Sequence, residues 1–226
     1  MDITLTILSL IILLFSVVTH EVAHGSVAYS LGDPTAKYQG RLTLNPIKHL
    51  DMFGSIMLPL LFLLVTAGQG PIFGWAKPVP VNFANLRHPK RDMLWVAAAG
   101  PLSNLAMALL WALALKIGLA LPGSSYALPL ALMGAAGVFV NVILMVLNLL
   151  PLPPLDGGRI LASLLPQRMA DVLSRIEPYG FIILIVLLFT GMLGYVLWPL
   201  IGLSLSLIAG AFGVPIGQLL RLAQLV

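Results

Sequence analysis

The chain has 226 residues, of which 59% are hydrophobic and 9% are charged, a balance far outside that of soluble globular proteins. Its formal net charge of +4 comes from Lys and Arg residues scattered through short polar stretches, which argues against nucleic-acid binding and indicates a multi-pass membrane protein. The absence of cysteine excludes disulfides, thiol catalysis and Cys-ligated metals, so a metal site would need His and carboxylate ligands.

Apolar runs long enough to cross a bilayer recur along the whole sequence. A shorter apolar stretch, residues 52–68, is predicted to enter the membrane and return without crossing it. The result is an all-α polytopic membrane protein with about five to six transmembrane helices and a re-entrant segment. The spanning helices are predicted at about residues 3–31, 92–120, 128–150, 179–197 and 199–221.

The region between the first two membrane helices is predicted to contain a short β-strand or β-hairpin. Gly-Asp-Pro at residues 32–34 ends the first helix, and alternation in YQGRLTL, residues 38–44, predicts a strand. The Gly- and Pro-rich stretch 68–91 is expected to be irregular or hairpin-like.

The first predicted helix carries three ionisable side chains, His20, Glu21 and His24, although a charged group at mid-bilayer costs about 2.5 to 3.5 kcal/mol. Their sequence, HEVAH, matches H-E-x-x-H, in which two His four residues apart share a helix face and bind one zinc ion. Glu21 would then accept a proton from the water that zinc activates. The structural alternative is two histidines hydrogen-bonded within the bundle.

A catalytic zinc needs three protein ligands and one open position, and Asp156 is the candidate third ligand. It follows an apolar helix in NLLPLPPLDGGRI, where three prolines must break the helix and Gly157 and Gly158 keep the backbone close. Unwound backbone at membrane depth is tolerated where protein or a polar cavity satisfies it. The alternative is a turn aspartate that caps the next helix.

Three motifs, HEVAHG, AAGPLSN and NLLPLPPLDGGR, together resemble the site-2 protease family of intramembrane zinc metalloproteases over about residues 10–165. The resemblance implies one zinc ion held by His20, His24 and Asp156, with Glu21 as the catalytic glutamate. The segments between the motifs look like those of a compact prokaryotic branch without PDZ or CBS domains.

The resemblance also implies that GPLSN, residues 100–104, packs into the catalytic core, and that Asn148 contributes to substrate binding. Asn104 and Asn141 fall in apolar helices, where an amide needs a partner. Substrate or oxyanion contacts and helix–helix hydrogen bonds are both open for these two residues. His49 is expected to cap a turn rather than line the site.

The sequence therefore predicts a zinc-dependent endopeptidase that hydrolyses transmembrane or membrane-anchored substrates in regulated intramembrane proteolysis. We expect one domain over residues 1–226, with a catalytic core at about 3–165 and additional helices at about 179–221. Edge pairing with the 38–44 strand would hold a substrate extended. A membrane metal-ion or proton transporter using the same His and Asp cluster is the main alternative, and an inactive binding scaffold is the third.

Topology follows from the positions of His20 and Asp156, which both lie near the ends of their helices. The two helices must run in the same direction for these side chains to meet. With 52–68 re-entrant, five spans result and eleven of the twelve basic residues share one face. This bias predicts an outer N-terminus and a zinc site towards the cytoplasmic side of a prokaryotic cell membrane.

Overall fold

The computed structural model describes residues 3–65 and 77–225, and this part of the chain is helical, with no β-strand in it. Short 3-10 turns at Pro46–His49 and Phe83–Asn85 and a π-helical turn at Met52–Met57 lie between the first and second long helices. The α-helices are α1 (Ile3–Ser30), α2 (Thr35–Tyr38), α3 (Leu58–Val65), α4 (Pro89–Leu119), α5 (Ala127–Asn148), α6 (Asp156–Leu164), α7 (Gln167–Phe189), α8 (Met192–Phe212) and α9 (Ile216–Leu225).

Five of the described helices are long and apolar enough to cross a membrane: α1 over Ile7–Ser30, and α4, α5, α7 and α8 over their full lengths. The predicted all-helical polytopic class and the lower of the two predicted span numbers are therefore confirmed for the described residues. The first three predicted spans also match α1, α4 and α5 to within a few residues.

The boundaries predicted for the last two spans are wrong, because α7 and α8 both continue through a proline. Pro178 lies inside α7 and Pro199 inside α8. The chain instead breaks at Gly191, whose φ of +73° is left-handed and suits glycine. The predicted helix 199–221 also merges two elements, because Gly213, at φ +68°, separates α8 from α9.

The predicted strand at 38–44 is also wrong, and the described residues include no strand with which it could pair. The Asp33 carboxylate accepts a hydrogen bond from the Thr35 backbone N–H, at 3.1 Å, and the helical turn α2 begins there. Gly40 then turns the chain at a φ of +62°. The turn at Asp33 and a left-handed glycine outweigh the short alternation of apolar residues, so this segment offers no strand edge for a substrate.

The segment 52–68 is helical as far as Val65, and its last residues, 66–68, lie outside the described part of the chain. The predicted re-entrant path is not supported by what is described. The residues that flank this part of the chain nevertheless meet, because the Lys77 backbone N–H donates to the His49 carbonyl at 2.8 Å. Residues His49 and Lys77 therefore lie next to each other.

The core of the bundle is the close contact of α4 with α5, through side chains that are mostly small. Gly134 shows how close the approach is, since a Cβ added there would lie 2.5 Å from the Leu115 backbone nitrogen. Helix α1 packs against α4 and α5, and α8 and α9 cover α5. The buried alanines of the α4–α5 contact are Ala108, Ala112, Ala131 and Ala135.

One end of the bundle gathers the end of α1, the start of α4 and the end of α5. The Arg87 backbone N–H, just before α4, donates to the carbonyl of Leu31, just after α1, at 3.1 Å. Since α5 follows α4 through a short loop, its C-terminal end returns to this same end of the bundle. We call it the motif end, because H-E-x-x-H and Asp156 both lie there.

Single cysteines placed at Lys48 and Lys77 should react with a membrane-impermeant thiol reagent from the same side of a sealed vesicle. The hydrogen bond between His49 and Lys77 holds these positions together, and the chain supplies a cysteine-free background. A cysteine at Lys116, in the last turn of α4, is the control and should react from the opposite side. Labelling of Lys48→Cys and Lys77→Cys from different sides would contradict this topology.

Candidate metal centre

His20 and His24 lie one turn apart on α1 and direct their Nε2 atoms to the same point. The two Nε2 atoms are 3.1 Å apart, and the ring planes are nearly perpendicular, at 84°. This is the geometry predicted from the i, i+4 spacing.

Asp156, the first residue of α6, completes the cluster. Its Oδ2 lies 3.1 Å from the His20 Nε2 and 3.2 Å from the His24 Nε2. Among the described residues, these three form the single group of potential ligands that could hold a metal ion. The structure therefore brings together the three side chains that the sequence proposed as ligands.

The protonation of His20 follows from a chain of buried amides. Asn141 donates through Nδ2 to the Gly137 carbonyl at 2.9 Å, so its Oδ1 is free to accept from Asn104 at 3.0 Å. The Asn104 Oδ1 then faces the His20 Nδ1 at 2.6 Å, and it can only accept. The Nδ1 of His20 therefore carries the proton, and the neutral ring presents a bare Nε2 to the cluster.

His24 is oriented in the same way by a backbone group. Its Nδ1 lies 2.7 Å from the Val96 carbonyl, which is also an acceptor, so the neutral ring again presents a bare Nε2. Sequence analysis missed this partner, because any residue type at position 96 would supply the same carbonyl. Asn104 and Asn141 were candidates for substrate contact or for helix–helix hydrogen bonding, and their amides make helix–helix bonds here.

With both rings neutral, the three ligand atoms are all acceptors. The Asp156 Oδ2 is buried and has no hydrogen-bond donor in the described part of the chain. A buried charge without a partner is costly, so this arrangement calls for a cation. Tetrahedral zinc with ligands at about 2.0 Å would space them about 3.3 Å apart, close to the observed 3.1 to 3.2 Å. The residues fit zinc.

Two close backbone approaches bring the ligands together. A Cβ added at Gly157 would lie 2.3 Å from the carbonyl oxygens of Leu149 and Leu150, so a larger residue would push α6 away from the end of α5. At Gly100 an added Cβ would lie 2.4 Å from the His24 Nε2 and 2.5 Å from the His20 Nε2. The expected packing of GPLSN into this centre is therefore what the structure has.

Glu21 lies beside the metal ligands in a cavity of about 420 Å³. One of its carboxylate oxygens accepts a hydrogen bond from the Val79 backbone N–H at 2.7 Å. Asn148 lines the same cavity, while its Nδ2 donates to the Leu144 carbonyl of its own helix at 2.9 Å. The polar residues that line the cavity are His20, Glu21, His24, Asn148, Asp156 and Arg159.

His49 is buried but does not line this cavity. Its Nε2 lies 2.8 Å from the Thr43 carbonyl in the same loop, which agrees with the expected role in a turn. Val79 was not singled out from the sequence, because its contribution to the site is a backbone N–H in a Pro-rich stretch whose path could not be predicted.

Comparisons with a family model and with curated proteins agree on one protein family. Residues 123–191 match the sequence model described as Peptidase family M50. The chain is 42% identical over 201 residues to "Putative zinc metalloprotease YwhC" of Bacillus subtilis, which covers 84% of each chain. It is 33% identical over 178 residues to "Putative zinc metalloprotease Rip2" of Mycolicibacterium smegmatis, covering 78% of this chain and 64% of that protein. No solved structure matches it.

These matches agree with the geometry of the cluster, where two histidines of an H-E-x-x-H helix meet an aspartate at spacings that suit zinc. The identity to YwhC extends over most of both chains. The chain therefore belongs to Peptidase family M50, the site-2 protease family, and is a zinc metalloprotease.

Proposed function

We propose that this protein is an endopeptidase that cleaves transmembrane or membrane-anchored substrates within the bilayer. The observation that carries the proposal is the position of Glu21, which lines one cavity together with the three proposed zinc ligands inside a bundle of apolar helices. A polar cavity of this kind admits water to a peptide bond that lipid would otherwise keep dry.

The proposed roles follow from the chemistry of each side chain. His20, His24 and Asp156 hold the metal, and Asn104 and the Val96 carbonyl keep the two imidazoles in the metal-binding tautomer. When bound, zinc supplies a Lewis acid that polarises the scissile carbonyl and lowers the pKa of a coordinated water towards about 7. Glu21 accepts a proton from the attacking water and transfers it to the leaving amine.

Asn148 is proposed to contact the substrate. It lies on the last turn of α5, lines the cavity and is partly buried, so its amide is accessible from the cavity. Asn104 and Asn141 are fully buried and bonded to protein groups, and we propose that they position His20 instead.

We propose that the metal centre lies towards the cytoplasmic side of a prokaryotic cell membrane. In the proposed topology eleven of the twelve Lys and Arg residues fall on the side of the motif end, and the remaining one, Lys116, lies in the last turn of α4, at the other end of that helix. Such a bias is typical of the cytoplasmic face. The transporter alternative is disfavoured by the family membership.

Measuring zinc content and activity separately in single variants tests the roles proposed for the metal ligands and for Glu21. His20→Ala and Asp156→Ala should each lose zinc and hydrolysis together, since two ligands bind zinc far more weakly than three. Glu21→Gln should keep about one zinc per chain and lose about 100-fold or more in kcat, because the amide cannot accept the proton. Zinc analysis and cleavage of a model transmembrane peptide in liposomes measure both.

Cleavage by Glu21→Gln at the wild-type rate would contradict the proposed mechanism. Full zinc occupancy in both His20→Ala and Asp156→Ala would contradict the proposed ligand set.

The contact at Gly100 offers a test that leaves every ligand in place. Gly100→Ala should lose most of its zinc, because the new methyl group would stand 2.4 to 2.5 Å from the two histidine Nε2 atoms. Gly202→Ala in α8 is the matched control, since a Cβ there meets nothing within 4 Å, and it should bind zinc normally. Normal zinc content in Gly100→Ala would mean that α4 does not approach the histidines as described.

Asn148→Ala should lower kcat/KM by about tenfold while leaving zinc in place, as expected for a residue that binds substrate but not metal. The measurement is cleavage of a transmembrane peptide at several substrate concentrations, with zinc analysis of the same sample. An unchanged kcat/KM would reduce Asn148 to a packing residue.

A further inference from the structure

We propose that Arg41 is a positioning residue for Glu21, and that it acts through the non-helical segment 77–82, which we call the strap. This inference rests on the proposed role of Glu21 as the proton acceptor. Arg41 lies outside the cavity and touches neither the metal ligands nor Glu21. Its effect is carried by the backbone of the strap.

The strap makes a hydrogen bond to Glu21. Val79 donates its backbone N–H to the Glu21 Oε2 at 2.7 Å, and Val79 is buried, with 6% of its surface exposed. Its neighbours Pro78 and Pro80 have no N–H to donate. A charge-assisted hydrogen bond to one carboxylate oxygen fixes where the other oxygen points.

Arg41 holds the first part of the strap. Its guanidinium group donates to the carbonyls of Lys77, at 2.9 Å, and Pro78, at 3.3 Å, and also to the Lys48 carbonyl. The residue is 8% exposed. Burying a cation is costly, so its pairing with three backbone carbonyls, which the planar fork of Arg suits, marks a built contact. By holding the carbonyls of Lys77 and Pro78, Arg41 fixes the backbone that leads directly to the Val79 N–H.

Asp33 holds the other end of the strap. Its fully buried carboxylate accepts from the Asn82 backbone N–H at 2.7 Å and from the Asn85 side chain at 3.0 Å. Burial alone would raise the pKa of Asp33, but hydrogen bonds from Thr35, Asn85 and Asn82 hold that pKa below its usual value. The strap is thus fixed at both ends by buried charges of opposite sign.

The strap packs against helix α1 at Gly25, one turn beyond Glu21. A Cβ added at Gly25 would lie 2.7 Å from the Val79 Cγ1 and 2.6 Å from the Leu42 Cδ2. Gly25 therefore admits the Val79 side chain against the helix that carries Glu21. The hydrogen bonds from Arg41 and the space at Gly25 are independent features, and both place Val79 beside the Glu21 carboxylate.

The proposal predicts a loss in kcat without a loss of metal. Arg41→Met should lower kcat by about 10- to 100-fold, because a small misplacement of a catalytic group has effects of that size. Its KM should stay within about twofold of wild type and its zinc content should be normal. Arg41→Lys keeps the charge but not the planar fork of donors, and its kcat should lie between those of the wild type and Arg41→Met. Arg168→Met, at an exposed Arg in α7, is the matched control and should behave as wild type.

Val79→Pro tests the route of the effect, since it removes the N–H that reaches Glu21 and leaves the Arg41 contacts in place. It should lower kcat as Arg41→Met does. The double variant should be no worse than Val79→Pro alone, because both changes remove the same contact. If the two losses multiply, Arg41 acts by another route and the proposal is wrong.

Hydrogen exchange of the Val79 amide gives a readout that does not need activity. The amide should exchange slowly in the wild type and in Arg168→Met, and faster in Arg41→Met and Glu21→Ala. Unchanged exchange in Arg41→Met would overturn the proposal, and so would loss of its zinc, because a residue that acts on Glu21 alone leaves the ligands loaded.

The same samples distinguish the two proposals. If the wild type cleaves the transmembrane peptide and Arg41→Met retains the wild-type kcat, the positioning role is wrong and the protease function stands. If the wild type cleaves nothing while Val79 exchange responds as expected, the proposed function is wrong and the strap contact is right.

Discussion

The whole arrangement depends on the meeting of three acceptor atoms, the Nε2 atoms of His20 and His24 and the Oδ2 of Asp156, within 3.2 Å of one another. Without a cation, neutral rings would leave three acceptor atoms facing one another, and burial would make their repulsion stronger than in water. Their Nδ1 partners, Asn104 and the Val96 carbonyl, prevent the imidazoles from relieving it by turning an N–H inwards. A bound zinc ion would stabilise this cluster, and the surrounding helices hold the three side chains in an arrangement that fits it.

That requirement explains features that look unrelated in the sequence. Gly100 brings α4 against the histidines, and α4 in turn carries both Asn104 and Val96. The Gly157 contact brings α6 back against the end of α5, so that Asp156 meets α1. Each helix end at this site therefore contributes a ligand, a partner for a ligand, or the space that a ligand needs. The Val79 contact adds Glu21, the proposed proton acceptor, to the same set.

The features that could be predicted from the sequence are those that depend on helical spacing or on a residue type that is rare in this chain. The i, i+4 spacing placed His20 and His24 on one face, and Asp156 stood out because few acids lie beside an apolar helix. Backbone groups such as the Val96 carbonyl and the Val79 N–H leave no mark on the sequence. The ends of the last two spans were predicted wrongly, because α7 continues through Pro178 and α8 through Pro199. The strand predicted at 38–44 was wrong, because a turn at Asp33 leads into α2 and Gly40 turns the chain at positive φ.

The central claim is that zinc is held by two imidazoles and one carboxylate, and X-ray absorption at the zinc edge on the purified protein in bilayers tests it most directly. The account predicts a first shell of four nitrogen or oxygen atoms at about 2.0 to 2.1 Å, with the outer-shell scattering of two histidine rings. A six-coordinate oxygen shell, or a first shell without histidine scattering, would contradict it.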